Sequence, residues 1–191
     1  MLNIVLFGPP GAGKGTQAAK IVEKYNLTHL STGDVFRANI KEETELGTLA
    51  KSYMDKGELV PDEVTIQMLE SEVDKVDSPK GFIFDGFPRT TPQADALEKF
   101  LKSKNTSVSL MLVLDVSVEE LVKRLLLRGI ESQREDDQNE EIIRNRIRVY
   151  NDQTAVVADY YSQEGKFEKI NGVGTIEDIF NSVCSNIEKY I

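Results

Sequence analysis

Apolar positions along this chain follow two alternating rhythms. Leu2 to Phe7 is a short unbroken apolar run that ends at a glycine and reads as a buried strand. Gly13 to Tyr25 reads as a helix. His29-Leu30-Ser31 is a short second strand, Phe82-Ile83-Phe84 a third that ends at Asp85, Val108 to Val116 a fourth and Phe167 to Ile170 a fifth. Between them, helical spacing returns. From Asp62 to Val76 the apolar residues Ile66, Leu69, Val73 and Val76 fall in 3-4-3 steps on one face, and near the C-terminus Ile176, Ile179, Phe180, Val183, Cys184 and Ile187 share one side. Strands and helices in alternation predict an α/β fold, a parallel sheet with helices on both faces.

Two stretches interrupt the rhythm. Gly33 to Val76 carries helical patterns without a strand and predicts a helical insertion. Gly129 to Asn139 is polar, lacks apolar periodicity, and predicts a mobile surface loop. Ligands of an open α/β sheet bind beyond the carboxyl ends of its strands, so both interruptions are expected at that edge.

The charge balance narrows the function. The chain has 191 residues and a net charge of −9, which disfavours broad binding to a nucleic-acid backbone and makes any local arginine cluster more informative. A hydrophobic fraction of 40% with 29% charged residues fits an ordered globular chain of one domain, and no apolar run is long enough for a membrane span. The N-terminal residues lack the pattern of a secretory leader, and a single cysteine, Cys184, excludes an internal disulfide; a reducing, cytoplasmic setting is expected.

Chemistry appears first at residues 8–16, Gly-Pro-Pro-Gly-Ala-Gly-Lys-Gly-Thr, between the first strand and first helix. Glycines let the backbone fold tightly enough to aim N–H groups at phosphate oxygens, the helix N-terminus adds partial positive charge, and Lys14 adds a full one. The spacing follows the phosphate-loop pattern through the lysine. Gly15 then stands where the pattern has a hydroxyl, which comes one place later at Thr16, so contact of Thr16 with Mg²⁺ is expected through water.

Further segments extend the match. Residues 8–17 are similar to the phosphate loop of adenylate kinases. Ser31-Thr32-Gly33-Asp34 with Arg37 resembles that family's monophosphate-site segment, and Asp85-Gly86-Phe87-Pro88-Arg89 with Gln93 its central signature. Arg128-Gly129, Arg134, Asp136-Asp137 and Arg146 resemble its lid region, and Gly174 a glycine near the adenine of ATP. The likeness runs in order through residues 1–191. It implies a nucleoside monophosphate kinase fold of the phosphate-loop type in three layers, with a monophosphate-binding insertion at 31–60, a short lid at 128–138, and a monomeric state. The lid contains no cysteine, so the zinc-binding lid of some relatives is not expected.

The resemblance also assigns roles. Gly11, Ala12, Gly13, Lys14, Gly15, Thr16, Arg128 and Gly174 correspond to the ATP side. Thr32, Arg37, Glu58, Leu59, Val60, Gly86, Phe87, Pro88, Arg89, Gln93, Arg134 and Arg146 correspond to the AMP side. Asp85 resembles the carboxylate that holds Mg²⁺ of MgATP through water, so no direct metal ligand is implied. The catalytic set is Lys14, Asp85, Arg89, Arg128, Arg134 and Arg146. The implied reaction is reversible transfer of the terminal phosphoryl group of ATP to AMP, giving two ADP, with no phosphoenzyme. The alternative is a uridylate or cytidylate kinase; relatives of that kind usually carry alanine and asparagine where this chain has Thr32 and Gln93, which favours AMP. A guanine-nucleotide switch would want an Asn-Lys-x-Asp element that the chain lacks.

Other polar residues have plainer readings. Arg144 and Arg146 lie about 200° apart around a helix, so both cannot face one site; Arg144 is expected to pair with Glu140 at the surface, and Arg148 to lie there too. His29, Cys184, Tyr160 and Tyr161 read as packing or surface residues. Gln138 looks like one extra residue before the helix carrying Arg146, which would rotate that helix unless the loop absorbs it.

Overall fold

The computed structural model describes all of residues 1–191. Five strands form one sheet: β1 (Leu2–Phe7), β2 (Thr28–Ser31), β3 (Gly81–Asp85), β4 (Leu110–Asp115) and β5 (Phe167–Asn171). All neighbours run parallel, in the order β2-β3-β1-β4-β5. The expected three-layer α/β arrangement is the one observed. In β1 the alternation is plain: Ile4 and Leu6 point to one face, where α1 (Lys14–Tyr25), α6 (Val118–Ser132) and α9 (Ile176–Ile187) cover them; Val5 and Phe7 point to the other, under α5 (Thr91–Ser103) and α8 (Val157–Gln163). Both faces being covered is why the strands read as continuous apolar runs.

The chain leaves β1 toward β2 and later crosses from β3 over to β4, so β1 lies where the winding reverses. The register sets Leu6 and Ser31 beside Asp85 and Phe7 beside Val113, which lines up the carboxyl ends of the four strands and creates a crevice there.

Between Gly33 and Val76, where the pattern predicts helices without a strand, the structure has three helices and no strand. α2 (Thr32–Lys41) and α3 (Glu45–Met54) pack together, and with α4 (Asp62–Asp74) they enclose a separate small core of Phe36, Ala50, Val60 and Met68. Ser31 and Thr44 cap α2 and α3 by accepting from the Asp34 and Gly47 N–H groups.

The loop expected over Gly129 to Asn139 is not what the structure contains. α6 continues to Ser132 and stops at Gln133, whose φ of 54° is left-handed; Glu135–Asp137 form a 3-10 turn, and Asn139 caps α7 (Glu140–Val149). Gly129 is buried, and a Cβ there would lie 2.5 Å from the Asp137 carbonyl oxygen, so the turn packs closely only against a glycine. The segment is polar, yet it is folded over its own charges. Gln138 closes the turn, its N–H donating to the Glu135 carbonyl.

Candidate active site

The carboxyl ends of the strands open into a cleft of about 470 Å³. Seven lysine and arginine residues line it against four carboxylates, in a chain whose net charge is −9. Such local reversal of sign marks an anion site.

Its floor is the phosphate loop. Gly11 and Gly13 have φ of 83° and 93°, conformations open to glycine at little cost, and they turn the chain from β1 into α1. No side chain caps α1, so the N–H groups of its first turn are left for a ligand. The Lys14 ammonium folds back over the loop and donates to the carbonyls of Gly8 (2.8 Å) and Pro9 (3.1 Å). Burial lowers the pKa of Lys14 to about 8; Arg89, Arg128 and Arg146 push the same way, and Asp85 opposes them. For Asp85, burial acts upward, but His29, Lys14 and Arg89 outweigh it and hold the carboxyl below its usual range. His29 is therefore not a bystander: its Nε2 lies 3.5 Å from Asp85 Oδ2, across neighbouring strands.

On the insertion side, Gly86 has φ 77°, and a Cβ there would sit 2.8 Å from Thr32 Oγ1. That closeness lets the Thr32 hydroxyl and Arg89 Nε both donate to the Gly86 carbonyl, at 2.9 and 2.8 Å. Arg37 is held by Asp34 one turn earlier. The Arg89 side chain is exposed on the cleft wall yet closely surrounded by protein atoms. Its pKa falls to about 10, first through desolvation and then through Arg146, with Arg37 and Arg134 adding to the effect.

The third wall is the folded segment after α6. Asp137 is fully buried; its carboxylate accepts two hydrogen bonds from Arg128 (2.7 and 3.1 Å) and one from Arg146 (2.6 Å). Asp136 holds Arg134 by two bonds, at 3.1 and 2.7 Å, and lies 2.9 Å from Arg146. Desolvation would raise the Asp136 carboxyl, but Arg134 and Arg146 overcome it and bring it to about 2. The two aspartates thus hold three arginines in planar, bidentate or shared contacts and aim them at one space. Arg144 instead pairs with Glu140 at 2.8 Å on the surface, and Arg148 donates to Asn145.

Most of the residues singled out by sequence line this cleft, including all six of the catalytic set, Thr16, Thr32, Arg37, Gln93, Glu58, Leu59 and Val60. Ala12 and Phe87 turn their side chains into the core, and Gly174 lies off the cleft wall. Cys184, Tyr160 and Tyr161 pack as expected, with Cys184 and Tyr161 buried. The cleft is also lined by residues to which the sequence assigns no role, among them Arg124, which donates to the Gly172 carbonyl at 3.1 Å, and Tyr150, whose ring centroid lies 5.5 Å from that of Phe7. Arg124 had a signal, since it lies one turn before Arg128 on the same helical face.

Comparison with known proteins agrees with this geometry. A family model described as adenylate kinase matches residues 6–166. The adenylate kinase of Flavobacterium psychrophilum is 63% identical, with 94% of each chain covered. That of Bacteroides fragilis is 55% identical over 98% of this chain and 99% of its own, and that of Phocaeicola vulgatus 54% over 99% and 100%. A phosphate loop at the foot of a cationic cleft, and end-to-end likeness to these proteins at more than half identity, place this chain in the adenylate kinase family.

Proposed function

We propose that the cleft binds MgATP along the phosphate loop and AMP between α2, residues 58–60 and Gln93, and that the γ-phosphoryl group passes from one to the other across Lys14, Arg89, Arg128, Arg134 and Arg146. One observation carries this reading: those five cations, reaching from three separate parts of the chain, line one space between the loop and the Thr32–Gln93 pocket. An AMP phosphate oxygen attacks the γ-phosphorus, the bond to the β-phosphate oxygen breaks, and two ADP leave. The work of the protein is to position both ends and neutralise spreading charge; no side chain need act as nucleophile. Arg37 and Arg89 clamp the AMP phosphate, and Arg128 serves the ATP side. Residues 31–60 and 128–138 act as the two parts that close over the substrates and exclude water, which would otherwise take the phosphoryl group.

Mg²⁺ enters as part of the ATP substrate. The donor set suits a hydrated ion: Asp85 offers one ionised carboxylate and Thr16 one hydroxyl, too few for a cage but enough to hold metal-bound water. The ion supplies charge neutralisation on the β- and γ-phosphates; Asp85 orients it. The same reading takes the protein as a cytoplasmic monomer that uses ATP, AMP and ADP; no helix is long and apolar enough to cross a membrane.

A coupled assay with MgATP against AMP, CMP, UMP and GMP tests the assignment. Rapid ADP formation with AMP is the expected result. Preference for CMP or UMP would overturn the reading of Thr32 and Gln93, against which the relatives already stand. Absence of transfer to any of the four would overturn the assignment of the cleft.

The pH profile is a second check. In the free protein, Lys14 loses its proton near pH 8, so kcat/KM for ATP is expected to fall as pH rises through that value. Bound polyphosphate favours the ammonium, so kcat should persist to higher pH. Stability should move the other way: between pH 8 and the ordinary value of 10.5 the unfolded chain binds more protons at this site, so folding strengthens as pH rises through that window. A kcat/KM profile without an inflection near pH 8 would contradict the burial of the Lys14 ammonium.

A further inference from the structure

The side-chain amide of Gln93 is held at both ends. Its Oε1 accepts the backbone N–H of Arg89 at 2.7 Å, and its Nε2 donates to Asp62 Oδ1 at 2.7 Å. Gln93 is 1% exposed and borders the cleft. Asp62 is the first residue of α4. Its second oxygen accepts the Thr90 hydroxyl at 3.0 Å, and the Thr90 oxygen in turn accepts the Gln93 N–H that opens α5. Asp62 thereby ties the starts of two helices to one buried amide.

The partners differ in a way that matters. A backbone N–H only donates, and an ionised carboxylate only accepts. Turned over, the amide would set N–H against N–H and oxygen against oxygen, so the pair permits one orientation. Once these bonds are made, Gln93 retains one N–H and one oxygen lone pair. They can match a base edge that offers a ring acceptor beside an exocyclic amino donor, as adenine does. Guanine and hypoxanthine present the reverse, a ring N–H beside a carbonyl.

We propose that Asp62 is a specificity-determining positioning residue: by accepting from Gln93 Nε2 it sets the polarity of the base-reading amide, so that the acceptor site takes a 6-amino purine and rejects a 6-keto one. This rests on the reading that Gln93 meets the base of AMP. Asp62 itself acts through Gln93 and Thr90.

The test compares kcat/KM for AMP and for IMP, which share size and sugar phosphate but have opposite base edges, at saturating MgATP. The proteins are the parent and its D62N, D62E and Q93A variants, each with a melting temperature. An asparagine at 62 can present either a donor or an acceptor to Gln93, so in D62N only the Arg89 N–H still opposes the turned amide. The AMP-to-IMP preference is expected to fall about tenfold or more, with a gain in IMP use in absolute terms and the KM for ATP unmoved. D62E keeps two acceptors and should retain the preference. Equal loss with AMP and IMP in D62N, or an unchanged ratio there while Q93A abolishes the preference, would reduce Asp62 to a structural role and overturn the proposal. A parental ratio in Q93A would instead show that Gln93 does not read the base, and both readings would fall.

Discussion

Replacing Lys14 by methionine is expected to lower single-turnover phosphoryl transfer by about 10³-fold or more, while the melting temperature stays level or rises. The rate estimate follows from what a well-placed cation contributes where phosphoryl charge moves, about 10³–10⁵-fold for an arginine in that position; three decades correspond to about 4 kcal/mol. The stability expectation comes from the free protein. Burial and three nearby arginines all act against the Lys14 ammonium, and only Asp85 favours it. A methionine of similar length removes that conflict, at the loss of two bonds to the loop carbonyls of Gly8 and Pro9. Without substrate the lysine is held in a strained electrostatic setting that a polyphosphate relieves. Single-turnover kinetics beside thermal unfolding separates the two effects. A rate loss matched by a comparable loss of stability would make Lys14 a structural brace of the loop.

Arg89→Ala is expected to reduce single-turnover transfer by a similar factor, about 10³-fold, and to raise the KM for AMP while leaving that for ATP near its parental value. Arg89 sits on the insertion side, steered by the Gly86 carbonyl, and so its loss should be felt by one substrate. Like Lys14 it is opposed by its surroundings, with desolvation and Arg146 depressing its pKa to about 10. Removing it should therefore shift the melting temperature by no more than about 2 °C, the scale of a change within about 0.5 kcal/mol. Transfer within a few fold of the parent would disprove the clamp assignment. Equal weakening of ATP and AMP would place Arg89 between the substrates and away from the AMP phosphate.

These expectations share one physical source. The cleft collects more cations than the free protein can pair, and Asp136 and Asp137 neutralise only part of the excess while fixing three arginines in direction. Groups fixed in this way need little reorganisation when phosphate charge arrives, which is where electrostatic catalysis gains most.

Much of this was legible in the chain itself. The apolar runs of β1, β3 and β4 determined a covered parallel sheet, because strands buried on both faces show no alternation. The phosphate loop was legible because its chemistry is local: glycine conformations, a helix start and one lysine within nine consecutive residues. Helical angle separated Arg144 from Arg146, and the family resemblance chose Arg146 for the site. Tertiary structure decided what depends on partners far apart in sequence. A polar stretch such as 129–139 reads as a loop by composition, yet Asp137 is fully buried there because arginines from α6 and α7 converge on it. The pairing of His29 with Asp85 exists only through strand register. Asp62 and Gln93 lie 31 residues apart, and nothing local to either shows that one holds the other. Periodicity reports how much of a segment is buried, and motifs report short-range geometry. Which charges meet, and which end of an amide faces a ligand, is set by how the elements pack.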